Sequence, residues 1–460
     1  MTTTESLNPA TGEVAERYET HDEGDVDAIL GDAHSAQDGW SSRRIEEREE
    51  LMAEAGEVLR ENRREYAEVM TREMGKPISQ AIGEVEKCAW VCDYYAERGA
   101  EHLQDERIGA EPGTNTYVRY EPVGVVLAVM PWNYPFWQVF RFAAPNLTAG
   151  NTGVLKHALN VPGCALAIED VFERAGFPDG VFRSVLISGS EVSDVIEDDR
   201  VRAVTLTGSN RAGESVGEVA GRSLKKTVLE LGGSDPLVVL DDADVEAAAE
   251  TAAHARNLNS GQSCIAAKRH IVHEDVYDDF LDAFVGAVED LSVGDPMEED
   301  TDIGPQARDD LRDELHGQVE ESVEAGASVL TGGEPLDGEG YYYPPTVLVD
   351  VPDGCPASNE EIFGPVAAVF EVSDEDEAVE KANDTQYGLG ASIWTEDLER
   401  GERLTHRIDA GITFVNEFVK SDPRLPFGGI KESGYGRELA GDGIHEFTNR
   451  KTVWVQEAER

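Results

Sequence analysis

The chain has 460 residues, and its 39 Lys and Arg stand against 93 Asp and Glu, which gives a formal charge of −54. This charge argues against nucleic acid and anionic membranes as partners, because both would be repelled. The acidic residues run from Glu5 to Glu459, so the charge belongs to the whole surface. It favours the surface of a halophile protein, in whose saline cytosol salt screens self-repulsion, over an acidic binding module.

The segment from Met1 to Glu13 is polar and lacks the basic and apolar parts of a signal peptide. No apolar run approaches the roughly 20 residues of a membrane helix. The five cysteines are odd in number and irregularly spaced, which disfavours a disulfide framework. Cys88 and Cys92 lie four residues apart, but core packing is favoured over zinc and no metal site is predicted. We therefore expect a reduced cytoplasmic protein.

The first part of the chain has apolar residues at helical spacing, and the pattern changes near Glu121 to short strands that alternate with helices. The expected elements are helices at Val26–Trp40, Arg44–Glu73 and Gln80–Leu103, strands at Val123–Met130 and Thr152–Lys156, a helix at Val161–Ala175, strands at Val181–Ile187 and Ala203–Thr207, a helix at Arg211–Arg222 and a strand at Lys226–Leu231. Such alternation predicts an α/β fold with a mostly parallel sheet covered on both faces.

A second alternating series follows the Gly232–Gly233 pair, which is the expected hinge between two domains. Its expected elements are strands at Leu237–Leu240, Ala267–Val272, Ser328–Leu330, Val366–Val372 and Gly411–Val415, helices at Asp244–Asn257, Val276–Val288, Asp309–Ala325 and Glu375–Asn383, and a terminal strand at Thr448–Gln456. The terminal strand alternates like an edge strand and needs a partner, from this chain or from another subunit.

Two segments carry residues with nucleophile or base chemistry. Cys264 follows a Gly-containing turn, where a cysteine is a nucleophile only if its thiolate is stabilised; a buried inert cysteine is the commoner outcome. Glu230 ends a strand before two glycines, at the edge where ligands bind in parallel sheets. A general base and an exposed carboxylate are equally good interpretations of Glu230.

Two further segments carry groups that suit an anion or an oxyanion. Gly208, Ser209 and Gly213 lie between a strand and a helix, which suits a phosphate, although Ser209 as a plain helix cap is the alternative. Asn133, flanked by Pro131 and Pro135, could donate to an oxyanion, or the segment could be an aromatic turn. The motifs at 360–365 and 426–431 would each be read alone as structural turns.

Taken together and in this order, these motifs resemble the aldehyde dehydrogenase superfamily over essentially the whole chain, from Asn8-Pro9-Ala10-Thr11-Gly12-Glu13 to the terminal strand. The likeness is greatest to the NAD(P)-dependent succinate-semialdehyde dehydrogenases. Segments 70–77 (Met-Thr-Arg-Glu-Met-Gly-Lys-Pro) and 155–158 (Leu-Lys-His-Ala) support it, as do 312–318 and 437–439.

The resemblance implies that Cys264 adds to an aldehyde carbon and carries a thioester after hydride transfer to NAD or NADP. Asn133 would hold the oxyanion, and Glu230 would activate the hydrolytic water. The cofactor residues that the resemblance implies are Trp132, Lys156, Gly208, Ser209, Gly213, Glu361 and Phe363.

The cofactor and substrate preferences depend on single positions. Leu159 stands where NAD-specific relatives often carry a glutamate, so NADP should be accepted alongside NAD. Arg141 matches an arginine that binds the substrate carboxylate in succinate-semialdehyde dehydrogenases, although a structural salt bridge is an open alternative. The second arginine of some of these enzymes is Leu258 here, and Lys420, Ser421 or Arg424 could substitute for it.

The resemblance implies two doubly wound α/β domains plus a small β arm for assembly into a homodimer or homotetramer. The expected division is 1–104 and 123–233 for the NAD(P)-binding domain, 234–446 for the catalytic domain, and 105–122 with 447–460 for the arm. Two other activities stay open, namely oxidation of a different semialdehyde or aliphatic aldehyde, and a cofactor-independent thiol hydrolase.

Overall fold

The computed structural model describes residues 3–109 and 114–456. Its strands are β1 (Thr3–Asn8), β2 (Glu13–Glu19), β3 (Glu106–Ile108), β4 (Thr114–Pro122), β5 (Val125–Met130), β6 (Thr152–His157), β7 (Phe182–Ser184), β8 (Val201–Thr207), β9 (Lys226–Glu230), β10 (Asp235–Val239), β11 (Ala267–His273), β12 (Ser328–Thr331), β13 (Thr346–Val349), β14 (Val366–Val372), β15 (Gly390–Trp394), β16 (Ile412–Val415), β17 (Gly434–Tyr435) and β18 (Thr448–Gln456).

The helices alternate with these strands through most of the chain. They are α1 (Glu23–Ser41), α2 (Ile45–Glu61), α3 (Arg63–Met74), α4 (Ile78–His102), α5 (Trp137–Thr148), α6 (Pro162–Arg174), α7 (Val192–Glu197), α8 (Asn210–Arg222), α9 (Val245–Asn257), α10 (Tyr277–Glu289), α11 (Asp309–Ala325), α12 (Pro356–Asn359), α13 (Glu375–Asn383), α14 (Leu398–Thr405) and α15 (Ala440–Glu446). In the described ranges no helix is long and apolar enough to cross a membrane.

Two mostly parallel sheets form the centre of the molecule. One has the order β17-β9-β8-β5-β6-β7, with only β17 antiparallel to its neighbour. The other has the order β12-β13-β14-β11-β10-β15-β16, with only β12 antiparallel. The prediction of an α/β fold with two doubly wound sheets is confirmed.

Alternate residues of the central strands enter separate cores on the two faces of each sheet. In β5, Val126 and Ala128 pack with the helices α2 to α6, whereas Val125 and Leu127 join a core on the opposite face. In β10, Val238 and Leu237 likewise belong to different cores. This double burial explains why these strands are continuous apolar runs.

A third sheet has the order β18-β4-β3 and lies outside the two central sheets. Strand β18 pairs with β4 from Thr448 to Gln456, as an antiparallel ladder over its whole length. The other edge of β18 pairs with no strand of the described chain. Residues 110–113 and 457–460 of the expected arm, and residues 1–2 of the expected first domain, lie outside the described residues.

One expected helix is wrong in its extent. The segment Arg44–Glu73 was predicted as one helix, but α2 ends before Asn62 and α3 begins after it. The side-chain amide of Asn62 donates to the Val58 carbonyl at 2.8 Å. This local bond competes with helix continuation, which is the usual reason that asparagine interrupts helices.

Candidate active site

The cleft of the six-stranded sheet opens where its strand order reverses. Strand β5 lies between β6 and β8, so the chain winds outward from β5 in both directions. The segments after β5 and β8 therefore face one crevice, which is the usual ligand site of such sheets. Residues from both segments line a cavity of about 250 Å³ there, together with Cys264, Glu361 and Phe363.

The cysteine is carried by a tightly folded loop between α9 and β11. Asn259, Ser260 and Gly261 have positive φ values of 58°, 53° and 71°. The conformation is costly for the two non-glycine residues, so the surroundings must fix it. The side chain of Gln262 helps, since it donates to the Asn259 carbonyl at 3.2 Å and accepts from the Ala307 amide at 2.9 Å.

Arg256, at the end of α9, ties this loop to the segment that carries Glu361. Its buried guanidinium donates to the carbonyls of Gly261 at 3.3 Å, Ile362 at 2.8 Å and Val366 at 2.6 Å, and also to the Gly364 carbonyl. Burial lowers the pKa of Arg256 to about 9. These bonds satisfy a charge that would otherwise be expensive to bury.

Cys264 is the one cysteine of the chain that is not fully buried. Burial of its thiol raises the pKa to about 12, and the positive charges of Lys268 and Arg141 oppose that rise. Lys268 is itself buried and donates to the carbonyls of Ser263 at 2.9 Å and Cys264 at 2.7 Å. Its ammonium also lies 3.7 Å from Glu361, so it connects the thiol loop with that carboxylate.

Asn133 lies against the same loop. Its side-chain amide nitrogen donates to the Gln262 carbonyl at 3.1 Å, and its backbone carbonyl accepts from Asn259 at 2.8 Å. Its side-chain oxygen is buried with no partner in the described chain. The structure therefore brings Asn133 and Cys264 together on the wall of one cleft.

Glu230 ends β9 as predicted, but its side chain does not line this cleft. Both carboxylate oxygens are buried and accept no hydrogen bond within the described chain. One of them packs against Gly428, where a Cβ atom would be only 2.7 Å away. Burial raises the pKa of Glu230 well above its ordinary value, while the positive charge of Arg141 opposes the rise.

The predicted cofactor residues fall into two groups. Trp132, Gly208, Ser209, Glu361 and Phe363 line the cleft. Lys156 and Gly213 do not line it.

Lys156 and Gly213, the two predicted cofactor residues that do not line the cleft, lie in β6 and α8. Lys156 is the penultimate residue of β6 and is 8% exposed, and the negative charge of Glu191 acts on it. Gly213 lies inside α8, where a Cβ atom would collide with the Leu231 side chain. The structure therefore gives Gly213 a packing role between α8 and the chain after β9.

The donor set of the cleft fits a dinucleotide. A Cβ atom at Gly208 would meet only ordinary contacts at 3.7 Å and beyond, so its backbone is open to a ligand. Ser209 caps α8 and lines the cleft, so the N-terminus of α8, which favours phosphate, begins at the cleft wall. At the other end, the indole of Trp132 meets the Phe363 ring edge-on at 5.8 Å. Glu361 accepts from the Gly233 amide at 3.0 Å, and its carboxylate suits ribose hydroxyls.

The sequence profile of the aldehyde dehydrogenase family matches residues 1–453. The chain belongs to this family. A probable succinate-semialdehyde dehydrogenase [NADP(+)] of Synechocystis is 50% identical over 450 residues, which cover 98% of this chain and 99% of the relative. Succinate-semialdehyde dehydrogenase [NADP(+)] 1 of Mycobacterium ulcerans is also 50% identical, over 456 residues and the same shares.

Solved structures agree with this membership of the aldehyde dehydrogenase family. The succinic semialdehyde dehydrogenase of Streptococcus pyogenes in complex with NADP+ has a TM-score of 0.96 at 38% identity, over 99% of this chain and all of the other. A structure of Gox0499, described for its cofactor and substrate selection, has a TM-score of 0.97 at 40% identity, over 98% and 99% of the two chains.

Arg141 lies on α5 of this aldehyde dehydrogenase and lines a second cavity, which Cys264 also lines. Its guanidinium forms a buried ion pair with Glu438 and lies 4.5 Å from the centre of the Phe427 ring. A third contact is a 3.4 Å hydrogen bond to Thr207. The salt bridge that the sequence left open is therefore present, and Arg141 also reaches the cavity.

Four residues of this aldehyde dehydrogenase site were missed by the sequence analysis, namely Lys87, Arg256, Lys268 and Glu438. One of them had a signal. Lys268 stands beside Arg269 within a strand, and two consecutive cations there mark charges that will be buried and need partners. Lys87 and Glu438 gave no such signal, because their partners come from distant parts of the chain.

Proposed function

We propose that this chain oxidises succinate semialdehyde to succinate with NADP or NAD as the oxidant. The observation that carries the proposal is the position of Cys264, which lines both cavities. One cavity has the donor set of a dinucleotide site, and the other contains several cationic side chains. The curated relatives at about 50% identity support the same substrate.

In this proposal Cys264 adds to the aldehyde carbon, and the amide of Asn133 with the backbone N–H of Cys264 holds the oxyanion. Such a donor typically lowers the barrier by about 2.7–4 kcal/mol. A bound NADP+ or NAD+ would supply the hydride acceptor for that carbon. The acyl group then stays on the Cys264 sulfur as a thioester until water attacks it.

Glu230 serves as the general base for that hydrolysis. Its carboxylate must be ionised to take a proton from water, but burial beside Gly428 favours the protonated, neutral form. We infer that the side chain turns from this place toward the thioester, where water restores its charge. Hydrolysis should therefore become faster as pH rises through the raised pKa of Glu230.

We further propose that NADP is accepted alongside NAD. Leu159 offers no carboxylate to repel a 2′-phosphate, and Lys156 offers a positive charge close by. A kcat/KM for NADP more than a thousandfold below that for NAD would contradict this.

The decisive test of the activity is the Glu230→Gln variant mixed with succinate semialdehyde and NADP+. Without the base, the variant should form about one equivalent of reduced nicotinamide per site and then stop. Mass spectrometry should find one succinyl group on Cys264. Cys264→Ala, the matched control, should form no reduced nicotinamide.

Two rival activities give different results in the same assay. A cofactor-independent thiol hydrolase would form no reduced nicotinamide with any aldehyde. An enzyme for another semialdehyde or aliphatic aldehyde would show the burst, but with a higher kcat/KM for that aldehyde in a substrate panel.

We also propose that the sheet of β3, β4 and β18 joins copies of the chain into a dimer or a dimer of dimers. The free edge of β18 is nine residues long, and Trp454 and Val455 on it are about half exposed. A long unpaired edge of this kind normally finds a partner strand. A cytoplasmic location and the division into NAD(P)-binding, catalytic and arm regions stay part of this proposal.

A further inference from the structure

A cavity of about 600 Å³, separate from the dinucleotide cleft, also includes Cys264 in its lining. Its walls come from α4, α5, the cysteine loop and the segment 418–427. Most of the lining is apolar, with Trp90, Trp137 and Phe418 among its large side chains. Leu258, at the position where some related enzymes have a second substrate arginine, is one of the apolar residues.

Five cationic side chains line the cavity, and four of them already have a carboxylate partner. The pairs are Lys76 with Glu84, Arg141 with Glu438, Lys420 with Glu417 at 2.5 Å, and Arg424 with Asp422 at 2.6 Å. Within residues 3–109 and 114–456, Lys87 forms no ion pair. It is the cation left over for an anionic ligand.

The ammonium of Lys87 is held in place without being neutralised. It donates to the hydroxyl of Ser421 at 2.8 Å and lies 4.5 Å from the centre of the Trp137 ring. A lysine has three N–H donors, so donors remain beyond the bond to Ser421. An ammonium that is fixed, partly buried and unpaired gains strongly from a carboxylate.

The charges around Lys87 point the same way. Burial lowers its pKa to about 8, and the positive charge of Arg141 on α5 adds to this. Three groups oppose this shift but do not cancel it, namely Glu84 and Cys88 on the same helix and Asp422 in the segment 418–427. A bound carboxylate would raise the pKa of Lys87 again, because the carboxylate binds the protonated form of the lysine more tightly than the neutral form.

We propose that Lys87, with the Ser421 hydroxyl beside it, binds the carboxylate of the substrate at the end of the cavity away from Cys264. This assignment rests on the proposed function and names the residue that selects the carboxylate. Arg141 adds positive potential, but its charge is matched by Glu438, so Lys87 makes the principal ion pair.

Arg141 is a poor probe of carboxylate binding, because its removal would leave Glu438 buried without a partner. Breaking such a pair usually destabilises the whole fold. Removal of Lys87 leaves no carboxylate of the chain unpaired, so its effect reports on binding of the ligand. Lys87→Met keeps the apolar stem beside Trp137 and removes only the charge.

The test compares succinate semialdehyde with butanal, an uncharged aldehyde of the same carbon number. Lys87→Met should lower kcat/KM for succinate semialdehyde about 10- to 150-fold, the loss typical of a charge-assisted hydrogen bond, mainly through KM. The kcat/KM for butanal should stay essentially unchanged. Lys87→Arg should recover part of the preference for the acid, because it restores the charge.

Lys381→Met is the matched control. Lys381 also lies on a helix and beside an aromatic ring, 4.4 Å from the centre of Phe370, but outside the cavity. This variant makes the same change in net charge and should alter neither substrate's kcat/KM. Thermal unfolding of all variants shows whether each one is folded.

The pH dependence of KM for succinate semialdehyde is a second readout, and it would not change if Lys87 had only a structural role. In the wild type, KM for succinate semialdehyde should rise as pH passes about 8, because Lys87 then loses its proton. KM for butanal should not show this rise, and Lys87→Met should lose it for the acid.

Three outcomes would overturn the assignment: equal loss for both aldehydes, no loss for either, or an unchanged pH dependence in Lys87→Met. Failure of the proposed function looks different, because the wild type itself would then show no preference for succinate semialdehyde over butanal. If Lys87→Met does not fold, the pH profile of the wild type and the Lys87→Arg variant decide the question.

Discussion

The thiol of Cys264 has an environment that keeps it protonated at neutral pH. Burial raises its pKa to about 12, and the nearby Lys268 and Arg141 only moderate this. The reactive thiolate is therefore a small fraction that grows about tenfold per pH unit below the pKa. The chain has four other cysteines, and all are buried.

Iodoacetamide should consequently modify Cys264 alone in the folded protein, with a rate that rises about tenfold per pH unit from neutral to mildly alkaline pH. Mass spectrometry of timed samples gives both the site and the rate. Cys264→Ser should stay unmodified over the same period. A rate that does not change with pH would mean that the thiol is already ionised in the free protein.

Local patterns in the sequence predicted most elements well, because double burial and capping act within a few residues. The strand Val366–Val372 and the helix Asp309–Ala325 have the predicted bounds. Strand β15 was missed, although it lies between β10 and β16 in the seven-stranded sheet. It begins with Gly390 and Ala391, residue types that are depleted in strands, so only pairing with distant strands reveals it.

Site residues that belong to a sequence motif could be predicted, whereas contacts between distant parts of the chain could not. Asn133 and Cys264 do meet on one cleft, whereas Glu230 turns toward the motif at 426–431, which looked like a plain turn. In that motif Phe427 covers Arg141 and Gly428 makes room for Glu230. Nothing in the spacing of these residues along the chain shows such contacts.

The cysteine loop depends on a close backbone approach at Gly261. Its φ is 71°, and a Cβ atom there would collide with the backbone of Gly364, which belongs to the Glu361 segment. The positive φ disfavours a larger residue and the collision excludes one, and the Arg256 bonds that join the two segments would be lost with the approach.

Gly261→Ala should therefore lower kcat severely and lower the unfolding temperature. The matched control is Gly286→Ala in α10, where a Cβ atom meets nothing within 4 Å. There the exchange should be neutral or stabilise by up to about 1 kcal/mol, since alanine is the better helix former. Activity and calorimetry on the two variants test this, and an active Gly261→Ala enzyme would show that the loop tolerates another path.

At the scale of the whole molecule, an acidic surface surrounds a site that handles anions. The proposed substrate and cofactor are both negatively charged, while the chain carries −54. A few buried or partly buried cations, Lys87, Arg141 and Lys156 among them, act against this field at short range. The global charge therefore concerns the solvent, and we propose that it is an adaptation to a saline cytosol.

Salt should accordingly stabilise both the fold and the assembly. Repulsion among the acidic side chains reaches about 10 Å at 0.1 M salt but only about 3 Å at 1 M. Dialysis into dilute buffer should lower the unfolding temperature and shift the mass in light scattering from oligomer toward monomer. Sucrose, which stabilises proteins without screening charge, serves as the control and should not replace NaCl. An unchanged unfolding temperature and mass after dialysis, or equal protection by sucrose, would show that the acidic surface does not depend on salt.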